Sequence, residues 1–190
     1  MTEYTLQYCY DNLEVIGSGS TRAVFAIDDS RVIKIPFVKG GIIQCRNEIA
    51  FYDKYKSIFP LCAVLQGSCE NLIVQTRAVT VEECYDSADE AAFRMFDTIF
   101  WEAFECDDTI DISQYLDGIR DKTDSRIMEF MDVLSKIDLK LVRTLCYDIS
   151  CYNIGLIDNR LVIIDYGFPG TLTKGDEYYD ETEQQKMLQL

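Results

Sequence analysis

Cys146-Tyr147-Asp148-Ile149-Ser150-Cys151-Tyr152-Asn153, followed twelve residues later by Asp165-Tyr166-Gly167, is the stretch whose reading decides the fold. Between the two lie Ile154-Gly-Leu-Ile157, the turn pair Asp158-Asn159, and Leu161-Val-Ile-Ile164, which together read as a β-hairpin. The hairpin's two strands set Asn153 and Asp165 at its open end, near one another. Asp165 directly follows an apolar strand, and a carboxylate there wants a cation or several N–H donors. Taken alone, Asp165-Tyr-Gly also reads as a plain Asp turn.

Working back from this stretch, residues 124–137 carry Ile127, Phe130, Met131, Leu134 and Ile137 on one helical face. Leu139 to Leu145 is apolar and leads towards the Asp148 loop. The segment 88–104 lacks Gly and Pro and reads as helix within an acidic region, 81–108. That region is either a solvated helix or the contact surface of a protein partner. Residues 1–37 read as β structure. Within them Tyr10 to Ile16 leads to the turn Gly17-Ser18-Gly19-Ser20-Thr21-Arg22, and Ala23 to Ile27 is an apolar strand. Asp28-Asp29-Ser30 makes a hairpin turn, and Arg31 to Pro36 is the next strand. A helix follows Gly40-Gly41 over about 43–58, with Ile49, Tyr52, Tyr55 and Phe59 at helical spacing and Pro60 at its end. Residues 63–66 and 71–75 form a second β pair, and the tail from Thr173 reads as a short helix or a disordered segment.

Two residues of the amino-terminal half carry chemistry. Lys34 sits between Ile33 and Ile35, so it faces either solvent or a covered side, and on a covered side it needs an anion. Glu48 is the first acidic residue after Asp29 and falls mid-helix, which makes it the natural partner. Gly17 and Gly19 form either a plain hairpin turn or a loop whose N–H groups approach phosphate oxygens without side-chain obstruction.

Composition narrows the function. With 33 acidic and 18 basic residues the formal charge is −15, which argues against nucleic-acid binding and anionic membrane surfaces. The chain has no histidine, so a Ser-His-Asp triad, a Cys-His dyad and a histidine metal site are excluded. Any proton acceptor is a carboxylate, lysine, tyrosine or cysteine. The eight cysteines form no Cys-x-x-Cys pair and read as reduced thiols of a cytoplasmic protein, expressed in or secreted into a host cell as the alternative. No apolar run approaches the ~20 residues of a membrane span.

In order, the glycine turn, strand lysine, helix glutamate, Asp-x4-Asn and Asp-Tyr-Gly resemble the protein-kinase superfamily over about Val15 to Gly167. The resemblance implies an α+β, protein-kinase-like bilobal fold, with a five-stranded N-lobe over residues 1–77 and a strongly reduced helical C-lobe over 78–190. Only 23 residues follow Gly167, and in size the chain is similar to truncated kinases among secreted bacterial effectors and phage-encoded kinases.

The resemblance implies ATP between the lobes, under Gly17, Ser18, Gly19, Ser20 and Arg22, with Val24 as the valine after the loop. It has Lys34, held by Glu48, on the α/β-phosphates. Asn153 and Asp165 would hold Mg²⁺, or Mn²⁺ in its place, and Asp148 would accept the proton of the substrate hydroxyl. The expected activity is transfer of the γ-phosphate to Ser/Thr of a protein, with an activating partner as a further expectation. A small-molecule phosphotransferase and a nucleotide-binding pseudokinase are the alternatives. Three departures stand out. Cys146-Tyr147 replace His-Arg, Ser150 replaces a lysine, and Arg22 replaces the third glycine, where it stiffens the loop or supplies a cation to the phosphates.

Overall fold

A computed structural model describes residues 4–69, 71–80, 83, 88–105, 111–145 and 149–167. The chain divides into two compact units. Residues 4–54 and 62–77 belong to the first, and residues 55–61 and 78–167 to the second.

The first unit is a sheet with a helix on each face. Helix α1 (Leu6–Asn12) precedes strands β1 (Glu14–Ser18), β2 (Arg22–Asp28) and β3 (Arg31–Pro36). Helix α2 (Lys39–Tyr55) and strand β4 (Ile73–Thr76) follow. The sheet order is β1-β2-β3-β4, antiparallel throughout. In the register Val24 faces Lys34, Lys34 faces Ile73 and Val32 faces Gln75, so Arg22, Val24, Val32, Lys34, Ile73 and Gln75 share one face. Ala23, Phe25, Ile33, Ile35 and Val74 share the other, packed with Cys9 of α1. A helix on each side explains why Val32, Ile33, Lys34 and Ile35 are all buried in succession.

Helix α1 corrects the expectation of β structure from the first residue. Thr5 caps it, its side chain accepting from the Tyr8 N–H at 3.1 Å. The segment's Tyr and Thr residues favour strand by propensity. Covering the sheet overrides that preference: Cys9 is fully buried and Tyr10 meets Phe25 edge-on at 5.0 Å. The fifth strand expected at residues 63–66 is present as one bridge, Val64 to Gln75, flanked by Leu65 N–H to Val74 O and Thr76 N–H to Ala63 O. Helix α2 begins four residues earlier than expected and takes in Gly40 and Gly41. A Cβ on Gly41 would lie 2.5 Å from Thr21 O and 2.6 Å from Pro36 Cβ, so only glycine lets the helix start there.

The second unit is mainly helical: α3 (Ala88–Phe100) running into a π turn (Trp101–Glu105), then α4 (Ile112–Ile119), α5 (Ser125–Leu134) and α6 (Leu139–Leu145). Strands β5 (Val79–Thr80), β6 (Ile154–Ile157) and β7 (Arg160–Ile163) form a second antiparallel sheet. Its core stacks Phe96, Phe100 and Phe104 along one face of α3 and the π turn, against Phe130 of α5. Ile127, Met131 and Leu134, read as one face from the sequence, are buried. Asp124 caps α5 through the Arg126 N–H at 2.8 Å, and the Arg126 guanidinium bonds both Asp124 and Asp89. The β6–β7 hairpin turns at Asp158 and Asn159, with φ of 49° and 61°, the left-handed pair such a two-residue turn requires. Gly155 is a packing requirement, since a Cβ there would meet Ala78 Cβ at 2.8 Å.

Among the described residues no helix is long and apolar enough to cross a membrane. The tail from Thr173 lies outside the described residues.

Candidate active site

In the first unit one carboxylate gathers three donors. Glu48, on α2, is fully buried. Its Oε1 accepts from Lys34 Nζ at 2.7 Å and from Gln75 Nε2 at 3.0 Å, and its Oε2 accepts from Arg22 at 2.7 Å. Lys34 and Arg22 are themselves 5 % and 4 % exposed, so the ion pairs are interior ones. A buried charge at this cost persists where it is paired and hydrogen-bonded, and this carboxylate is both. Of the two orientations open to Lys34, the structure has the covered one.

The turn above this cluster is tight. Gly19 N–H donates to Arg22 O at 2.9 Å, leaving Ser20 and Thr21 at the tip. Ser18, Gly19 and Ser20 are exposed, and Gly17 and Val24 are half-buried. Neither glycine is demanded by the chain. A Cβ on Gly17 would come no closer than 3.8 Å to Val24, and one on Gly19 no closer than 3.9 Å to Arg22 O, both ordinary contacts. Contrast Gly41 and Gly155, where the chain itself leaves no room. Arg22 does not project from the turn; it points inward to Glu48.

The second unit carries the hairpin site. Asn153 closes a short 3₁₀ turn (Cys151–Asn153), its N–H donating to Ser150 O at 2.9 Å. Ile164 N–H donates to Asn153 O at 2.8 Å, which ties the residue before Asp165 to Asn153 across the hairpin's open end. Both side chains are partly exposed there, while Tyr166 is fully buried and anchors the segment. Asp97 of α3 accepts from the Cys151 N–H at 2.6 Å and steadies the same turn. Asp148, with Cys146 and Tyr147, lies outside the described residues.

The donor chemistry fits the expected ligands. Asn153 and Asp165 offer hard oxygens, and Mg²⁺ is typically held by one or two protein oxygens with phosphates and water completing its shell. Among the described residues no group of three or more acidic or thiol side chains forms a self-contained metal cage. Three of the described thiols are held protonated by their surroundings. Burial pushes the Cys45 thiol up, and takes Cys62 up to about 12; burial, then the neighbouring Asp97 carboxylate, takes Cys151 up to about 11.

Two supporting residues were not singled out in the sequence. Gln75 is a polar residue at the end of an apolar strand, the signal that marked Lys34, and could have been read the same way. Asp97 carries no such signal, being one acid among many on an acidic helix.

No family model and no curated protein sequence matches this chain. Solved structures do align with it. SAICAR synthase from Saccharomyces cerevisiae, in complex with SAICAR, covers 93 % of this chain and 84 % of its own at 9 % identity and a TM-score of 0.46. A gentamicin complex of APH(2")-IIa covers 88 % and 71 %, at 16 % identity and a TM-score of 0.44. The ADP-bound aminoglycoside phosphotransferase APH(2'')-Ib covers 85 % and 68 %, at 15 % identity and a TM-score of 0.39. All three superpositions are partial. The chain's own elements, an antiparallel sheet with a glycine turn, a strand lysine and a helix glutamate, followed by a helical unit with a hairpin, come in the order that the sequence resemblance implies.

Proposed function

We propose that the protein is an ATP-dependent phosphotransferase. The observation that carries this reading is the interior pair of Lys34 on β3 and Glu48 on α2, at 2.7 Å. An apolar strand gains nothing in stability from an ion pair that an aliphatic residue could not supply, so the pair's presence there supports a charge that is used. On this reading Lys34 meets the α/β-phosphates and Glu48 sets its position. Gly17 to Ser20 cover the phosphates, and the two glycines leave no side chain between backbone and phosphate oxygens, which accounts for two glycines the fold does not need. Residues 1–77 and 78–190 act as the two lobes. Asn153 and Asp165 hold Mg²⁺, which supplies charge neutralisation on the transferred phosphoryl group. Asp148 orients the acceptor hydroxyl and takes its proton; with no histidine in the chain a carboxylate is the natural base.

For the acceptor we take a Ser or Thr hydroxyl of a protein. Tyr152, between the proposed base and metal ligand, is 70 % exposed, as suits a surface met by a large acceptor.

Purified protein with γ-labelled ATP and Mg²⁺ is to be mixed with lysate proteins, and separately with a metabolite extract, beside Asp165→Ala. The expected result is a labelled protein band that Asp165→Ala does not produce. Label in a metabolite alone would replace the protein acceptor with a small molecule. Equal labelling by Asp165→Ala would overturn the assignment of the site.

A further inference from the structure

Arg22 stands where the resemblance leads one to expect a glycine, and its side chain does something a glycine cannot. Glu48 receives one donor from each of three neighbouring strands: Arg22 of β2, Lys34 of β3 and Gln75 of β4. Lys34 and Gln75 take Oε1, and Arg22 alone among these takes Oε2. Further ties join the end of the turn to the start of α2. Thr21 bonds Gln44 through its hydroxyl, Phe37 N–H donates to Thr21 O at 3.1 Å, and Gly41 lies too close to Thr21 and Pro36 for any side chain. The back of the glycine turn and the first turns of α2 are therefore bound together, while Ser18 to Ser20 stay exposed.

We propose that Arg22 is a positioning residue. It holds Glu48, and through it α2 and the Lys34 ammonium, in the phosphate-binding arrangement before any nucleotide arrives. This rests on the phosphotransferase reading above and gives it a mode of regulation: the Lys34–Glu48 pair is preassembled and needs no modification of the chain to form. Arginine suits the task because its planar fork is pre-organised and stays charged at any working pH. By occupying Oε2 it also fixes which oxygen Lys34 uses. The effect on nucleotide is indirect, because the 4 % exposed Arg22 acts through the carboxylate.

The test compares wild type with Arg22→Met and Arg22→Lys, by calorimetric titration with ATP–Mg²⁺ and with adenosine, and by hydrogen exchange without ligand. For Arg22→Met, ATP affinity should fall about tenfold, the weight of a lost charge-assisted hydrogen bond, with adenosine affinity unchanged. Exchange over residues 39–48 should quicken while that of α5 does not. Arg22→Lys, which keeps the charge, should recover part of both effects, and it serves if Arg22→Met does not fold. In turnover, KM for ATP should rise more than kcat falls. ATP binding as tight as wild type with unchanged exchange would overturn the proposal. Weakened ATP binding with unchanged exchange would overturn it too, in favour of a direct contact with phosphate. If wild type binds no ATP the phosphotransferase reading fails instead, and unchanged exchange in both variants would still refute the hold on α2.

Discussion

At the scale of single residues, Glu48 is the point on which the first unit's electrostatics converge. Glu48→Gln removes the anion that two interior cations contact, and should cost ~3–5 kcal/mol of stability in denaturant unfolding. Lys34→Met leaves Glu48 with Arg22 and Gln75, so its stability cost should be clearly the smaller of the two, while ATP binding weakens at least tenfold. The opposite order of stabilities would mean that Glu48 is not the shared anchor. Asp124 gives a second residue-level expectation. The Arg126 guanidinium, then the backbone N–H at the head of α5, hold its carboxyl below the usual carboxylate range. A group depressed in this way contributes stability that is complete above its unfolded pKa of about 4 and is lost as pH falls through the folded value. Asp124→Ala should therefore cost ~1–2 kcal/mol at neutral pH, the usual weight of a cap, and its stability should converge on that of wild type in acid. A constant difference down through acid pH would show that the carboxylate charge is not what the cap uses.

At the scale of elements, the glycines separate structure from function. Gly41→Ala and Gly155→Ala each force a Cβ into backbone or a neighbouring Cβ, and each should lose ~1–3 kcal/mol. Gly17→Ala and Gly19→Ala meet only open or ordinary contacts, so their unfolding free energies should stay within ~0.5 kcal/mol of wild type while ATP affinity falls. Equal destabilisation at all four would return the turn to a plain hairpin. The elements best read from sequence were those with a clear local pattern. Helix α5 had an apolar face, and the β6–β7 hairpin had two short apolar strands around a turn pair suited to positive φ. Helix α1 was misread because Tyr4 to Tyr10 has strand-like composition, and its one helical signal, Thr5, means little until the sheet face it covers is known. The Lys34–Glu48 pair was legible because a lysine among isoleucines and an isolated helix acid leave few other partners. Arg22's inward turn was not, since a cation beside two glycines suits either the phosphates or the interior.

At the scale of the whole molecule, the chain carries in one sequence a lysine–glutamate pair in an antiparallel unit and an Asn-hairpin-Asp in a helical one. The proposal is that both serve one nucleotide. A protein of −15 formal charge gains no general attraction for ATP, so binding must come from particular donors rather than from the overall field. The most direct measurement is a calorimetric titration of the purified protein with ATP–Mg²⁺, beside Lys34→Met. The account predicts saturable one-site binding by wild type that Lys34→Met weakens at least tenfold, without loss of its folded signal. Absence of binding by folded wild type, or equal binding by Lys34→Met, would contradict it.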